Sequence, residues 1–143
     1  MMQHTPDPGS FHLRWAGDVF EVALRLDAPR TGRAVFRTNL GMAHVRRREI
    51  IACTESGEPV LARDWHDVPM REVAPGLFAA RIPLTQVGVF SGKACFFAAG
   101  AHVPEWPAGG NVRVKVAPAH TACANTMYSA FVRQFGEIGR AHV

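Results

Sequence analysis

The residues of this chain best suited to chemistry sit in two tryptophan-bearing stretches. Asp64-Trp65-His66-Asp67 places carboxylates beside an imidazole, the groups that do acid–base work when a pocket and a third, orienting residue accompany them. The neighbouring sequence supplies neither, so the stretch reads equally as a polar loop anchored by Trp65. In Pro104-Glu105-Trp106-Pro107-Ala108-Gly109-Gly110-Asn111, turn-forming residues flank Trp106. An exposed indole face stacks on the axial C–H face of a sugar ring, while Asn111, Glu105 and His102 have the polar groups to bond its hydroxyls. Trp65, His66, Trp106 and Asn111 are therefore candidate carbohydrate contacts. The competing reading of Trp106 is a staple that holds its loop to the core.

Other chemistries lack their residues. There is no GxSxG, P-loop, GxGxxG or HExxH sequence, so no catalytic residue is assigned. Cys53, Cys95 and Cys123 are far apart, form no CxxC pair and have no histidines at ligand spacing. They read as buried free thiols, with no metal site and no cofactor expected. The net charge is +4, yet the only basic run is Arg46-Arg47-Arg48, which reads as a solvated strand start or, less readily, a contact for an anionic partner. A nucleic-acid binder concentrates charge along one face, so no nucleic acid is expected as a partner.

The elements that must position these residues follow from the periodicity. At 143 residues, 48% hydrophobic and 20% charged, the chain has enough apolar material for a core and is neither disordered nor a coiled coil. No apolar run reaches the length of a membrane span, and the first ten residues do not resemble a secretory signal. The expected location is cytoplasmic, with no membrane partner. Alternation of period two marks strands near 11–15, 18–26, 33–37, 77–82 and 112–116, the first two as a hairpin; 48–54 is a further run, 68–73 a weaker strand and 88–98 a long apolar one. No helical pattern separates them. The expected fold is thus all-β, an antiparallel immunoglobulin-like β-sandwich of about eight strands.

The period changes after residue 124. Met127, Phe131 and Phe135 recur at i, i+4 and i+8 beside Tyr128 and Val132, the pattern of one C-terminal amphipathic helix with Asn125 as its N-cap and Gly136 as its end. Ile138-Gly139-Arg140-Ala141-His142-Val143 matches one reading frame of a common sequencing adapter, so residues 137–143 are set aside from the fold.

Asp64-Trp65, Pro69-Met70, Gly76-Leu77-Phe78, Ile82-Pro83-Leu84, Gly88-Val89-Phe90 and Lys93 to Phe96 follow a rhythm that resembles the N-terminal immunoglobulin-like domains preceding α-amylase-family catalytic barrels. Val114 to Ala119, followed by Cys123 to Gly136, resembles the junction in bacterial glycogen-debranching (amylo-α-1,6-glucosidase-like) proteins, where such a helix leads into the catalytic region. The resemblance implies a non-catalytic N-terminal accessory domain, with the catalytic carboxylates in a glycoside hydrolase region beyond Gly136. Its implied partners are that catalytic domain, met by a docking face of Met127, Tyr128, Phe131 and Phe135, and α-glucan. The expected organisation is a flexible N-terminus at 1–10, the sandwich at 11–118, a linker and helix at 119–136 and the adapter-like tail. The alternatives are a free-standing carbohydrate-binding module and an interaction domain that uses basic strands on an acidic partner.

Overall fold

Strands whose alternate residues are apolar bury one face each, and most of this chain is built that way. The structure, a computed structural model, describes residues 2–124. In chain order the elements are β1 (Gln3–Thr5), β2 (Phe11–Trp15), β3 (Val19–Arg25), β4 (Gly32–Thr38), α1 (Ala43–Ser56), β5 (His66–Ala74), β6 (Leu77–Pro83), β7 (Gly88–Ala98), β8 (Val112–Ala117) and α2 (Thr121–Ala124). On β3, Phe20, Val22 and Leu24 are buried while Glu21 and Arg25 face solvent; on β8, Val112, Val114 and Val116 are buried between Arg113 and Lys115. Central β7 is buried on both faces from Gly92 to Phe97, which is why its sequence is apolar without alternation.

The eight strands form one curled sheet in the order β1-β3-β6-β5-β4-β7-β8-β2. The curl comes from β5. Its residues 66–70 pair with β4, whereas Arg71, Glu72 and Ala74 pair with β6 across a register shift between Glu72 and Ala74. A bulge of this kind bends and twists its strand. One end of the sheet thereby folds over the other, and Phe20, Leu24 and Phe78 meet Phe36, Phe96 and Val114 in a single core. Gly92 allows the closest approach there, since a Cβ at this position would overlap the Phe36 ring.

Several expectations are corrected. The sheet is mixed, because β2 runs parallel to β8, with Phe11 opposite Arg113 and Trp15 opposite Ala117. The need for a helical crossover applies to strands adjacent in sequence, and here the rest of the fold connects the pair. β2 and β3 are not a hairpin, for the turn between them bonds to Leu84 instead, through Gly17 N–H and the Asp18 carbonyl. The first ten residues contain β1, which takes the place of residues 48–54 in the count of strands.

Residues 48–54 lie in α1. Of this helix's residues only Glu49 is buried, and Ile50 and Ile51 are about half exposed, so no apolar stripe signals a helix. A carboxylate fixes it to the sheet's loops instead: Glu49 accepts the backbone N–H of Leu61 at 2.7 Å and of Arg63 at 2.6 Å. Gly57 ends α1 in the left-handed conformation, its N–H donating to the Cys53 carbonyl. Arg46, Arg47 and Arg48 are therefore helical, and Cys53 is exposed rather than buried.

β1 is held by His4, which is only 3% exposed. Ala94 N–H donates to His4 Nε2 at 2.9 Å, and the Pro6 carbonyl lies 2.7 Å from Nδ1. An N–H can only donate and a carbonyl can only accept, so the ring is neutral with its proton on Nδ1. Burial holds its pKa below the ordinary 6.5, and nearby Lys93 pushes the same way against the bond to Pro6.

Two outcomes follow from this packing. Phe20→Ala and Phe96→Ala each remove a buried ring and should cost roughly 3–5 kcal/mol in urea unfolding. Stability should also fall as pH drops below 6.5, because the unfolded chain takes up the proton that folded His4 resists. His12, lowered by burial and then by Arg14, adds to the same slope. Urea midpoints between pH 7.5 and 5.5 check this, and His4→Gln should flatten the dependence.

Candidate functional site

Trp106 is positioned by its neighbours rather than by its own burial. Glu105 exchanges both backbone hydrogen bonds with Phe96, at 3.0 and 2.7 Å, so the loop after β7 folds back and adds one bridge to that strand. The Glu105 carboxylate accepts two bonds from Arg30, at 2.9 and 2.7 Å, and the Arg30 guanidinium lies 5.0 Å from the centre of the Phe96 ring. Beyond Trp106, Pro107 is buried and the Lys93 ammonium donates to the Gly109 carbonyl. Both flanks are thus fixed to the sheet while the indole stays 42% exposed.

The outer face of β4 and β7 supplies the floor. Arg37 and Lys93 are register partners, and their charged ends lie 5.6 and 5.9 Å from the centre of the Trp106 ring. Asp67 holds Arg37 in place through bonds of 2.8 and 3.1 Å. The side-chain hydrogen bond from Arg37 keeps the Asp67 carboxyl below its usual range, and the bond from Arg30 does the same for Glu105. Both pairs are solvated, so they orient side chains more than they stabilise the fold. Further along this face Val35, Cys95 and Phe97 pack together, with the Arg33 guanidinium 4.1 Å from the Phe97 ring centre. Burial pushes the Cys95 thiol up to about 11, which leaves it unreactive at neutral pH.

A groove of about 470 Å³ opens beside Trp106, lined also by Met2, Leu26, Asp27, Arg30 and Glu105. An indole held rigidly at the wall of a groove, with a guanidinium and carboxylates around it, offers one apolar ring face and several directional polar partners. That combination fits a ring-shaped, hydroxyl-rich ligand.

The other sequence candidates do not join it. Trp65 is half-buried ahead of β5; His66 pairs with Thr38 at the start of β5, and its Nδ1 is buried with no hydrogen-bond partner. Asn111 is exposed immediately before β8, and none of these three lines the Trp106 groove. The Asp64–Asp67 stretch does not act as a unit either. Asp64 is buried and accepts from Asn39 at 3.0 Å, whereas Asp67 serves Arg37 on the outer face. Asn39 in turn accepts the Ser91 N–H at 2.9 Å, so Asp64 secures the end of β4 against β7. Met127, Tyr128, Phe131 and Phe135 lie outside the described residues.

Arg30, Arg37 and Lys93 are parts of this site that the sequence reading missed. No local pattern marks them: Arg37 and Lys93 become neighbours only through the β4–β7 register, and Arg30 through a loop 75 residues away from Glu105. Comparison of the chain with protein-family models and with curated proteins finds no match.

Proposed function

We propose that this chain is a non-catalytic N-terminal accessory domain of a glycoside hydrolase of the glycogen-debranching, α-amylase-family type, and that α-glucan contacts it at Trp106. The observation that carries the domain reading is the strand order. In a constant-type immunoglobulin sandwich, strands A to G form the sheets A-B-E-D and C-F-G. With β1 as A and β3 to β8 as B to G, the order β1-β3-β6-β5 continuing to β4-β7-β8 follows that connectivity, and β2 is an added edge strand. This supports an immunoglobulin-like arrangement, curled continuously through β5, of the kind the resemblance implies. The last strand, β8, also leads directly into residues 119–136, where the resemblance to a debranching-enzyme junction is most specific.

A second reading, a free-standing carbohydrate-binding module, is favoured by Trp106 alone: its loop is fixed at both flanks and its ring is left open to a groove.

The two readings share one experiment and differ in another. The purified chain should release no glucose from glycogen, pullulan or maltooligosaccharides, because hydrolysis requires two carboxylates facing each other across the scissile bond. Glucose release that copurifies with the chain would overturn the accessory-domain reading. In native gels containing glycogen the chain should be retarded. Trp106→Ala should remove most of that retardation, corresponding to a loss of roughly 0.5–1.5 kcal/mol of aromatic contact. Equal mobility with and without glycogen for the unaltered chain would remove glucan contact from either reading.

A further inference from the structure

The outer face of the sheet gathers cations that the sequence disperses. Val112, Val114 and Val116, Ala94 and Phe96, and Ala34 and Phe36 all belong to the core, so the residues between them on β8, β7 and β4 point outward. Those residues include Arg113 and Lys115, Lys93, and Arg33 and Arg37. Asp67, on the stretch of β5 that pairs with β4, is the one carboxylate among the described outward strand positions of this half, and it is bonded to Arg37. Arg33, Arg113 and Lys115 are exposed, and no described carboxylate lies within ion-pair distance of them. The other half of the sheet differs: Arg81 of β6 pairs there with Glu21 of β3 at 3.2 Å.

Register turns these cations into a band. Lys115 lies opposite Val89 and Arg113 opposite Ser91; Lys93 is two residues further along β7, and Arg37 is directly opposite it on β4. From Lys115 to Arg37 the band crosses two strand spacings and four residues of strand, about 16 Å. It starts beside Phe11, a ring 53% exposed and 5.4 Å from the Arg113 guanidinium, and it ends at Trp106, which Arg37 and Lys93 approach. Like charges gathered on one face repel one another and raise the potential there. A neutral ligand makes no use of that potential, whereas an anionic one does.

We infer that the α-glucan taken at Trp106 carries phosphate esters, and that this band receives them. The inference rests on the glucan contact proposed above and names the class of glucan. Glucose units have only hydroxyl groups to substitute, so an anion on an unaltered glucan is an ester, and a guanidinium fork or an ammonium suits its phosphate oxygens. The groove beside Trp106 decides against a ligand charged at every unit. Asp27 and Glu105 line it with Arg30 as the only cation, a lining that accepts bonds from hydroxyls and opposes closely spaced phosphates. A polymer that lays a neutral ring on Trp106 and an occasional ester on Arg113 and Lys115 meets both conditions. A nucleic acid, charged at each nucleotide, meets only the second.

Native gels containing phosphorylated amylopectin, or the same polymer after phosphatase treatment, test it. The full chain should bind the phosphorylated polymer roughly five-fold more tightly, and the difference should vanish as ionic strength rises from about 50 to about 500 mM, because solvated charges are screened. Arg113→Gln combined with Lys115→Gln should bring the two polymers to equal affinity, while Arg33→Gln, at the far end of the face, should narrow the gap by less. Trp106→Ala should weaken binding to both. Equal affinity of the unaltered chain for the two polymers would overturn the inference and leave glucan contact standing. Binding to neither would remove glucan contact and the inference with it. A preference undiminished by the double substitution would refute the band as its source. Tighter binding of an oligothymidylate than of phosphorylated amylopectin would assign the band to single-stranded nucleic acid instead.

Discussion

The fold depends on β5 being one strand with two partners. Its first half completes the β4–β7–β8 side of the sheet and its second half the β3–β6 side; the partner changes between Met70 and Arg71, and the register shift follows between Glu72 and Ala74. Without that change, the apolar faces of β3 and β8 would lie on one extended surface, and Phe20, Leu24, Phe96 and Val114 could not share a core. Burying large side chains contributes roughly 1.5–3 kcal/mol each, so closing the curl is what converts alternating strands into a stable domain. The outer face of β4 and β7 becomes available as a platform only because the inner face is sealed.

The short edge strand β1, α1 and the loops beside β4 and β5 are fastened to the rest of the sheet by polar groups. Glu49 takes two backbone N–H groups from the loop after α1, Asn39 joins Asp64 to Ser91, and His4 joins β1 to Ala94. Each is buried and each has its partners, so removing one side would strand a donor or acceptor at about 1–3 kcal/mol. Around Trp106 the same device is more exposed. Glu105 anchors its loop through the backbone to Phe96 and through its side chain to Arg30, while Lys93 holds Gly109. A ring supported this way loses little freedom on binding, which favours contact with a flat ligand face.

How much of this was legible in the sequence depends on the range of the interaction. Strands 19–25, 77–83 and 112–117 are visible because alternation is a local consequence of one-sided burial, and 88–98 because burial on both faces leaves a long apolar run. α1 was not, since it has no apolar stripe, and Ile50-Ile51-Ala52-Cys53 imitates a strand core. β1 was invisible because three residues cannot show a period, and its anchor is one histidine whose partner lies 90 residues on. The mixed sheet was equally out of reach, because the pairing of β2 with β8 joins the two ends of the strand sequence. In the candidate site, composition alone picked out Trp106, but Arg37 and Lys93 required the β4–β7 register.

The same register places the two grooves relative to each other. Glu105 anchors the Trp106 loop at Phe96, near the C-terminal end of β7, and a second groove, of about 400 Å³ and lined by Leu13, Trp15 and Val87, meets β7 at Val89. Phe96 and Val89 are seven residues apart on β7, about 23 Å at the usual rise, while the indole reaches back to Lys93, four residues from Val89. Their linings share no residue, and the strand between them is the most deeply buried of the sheet, so it has little freedom to relay a change. Substitutions in the two grooves should therefore act additively. The two grooves meet separate stretches of β7, and the sheet holds them at a fixed spacing.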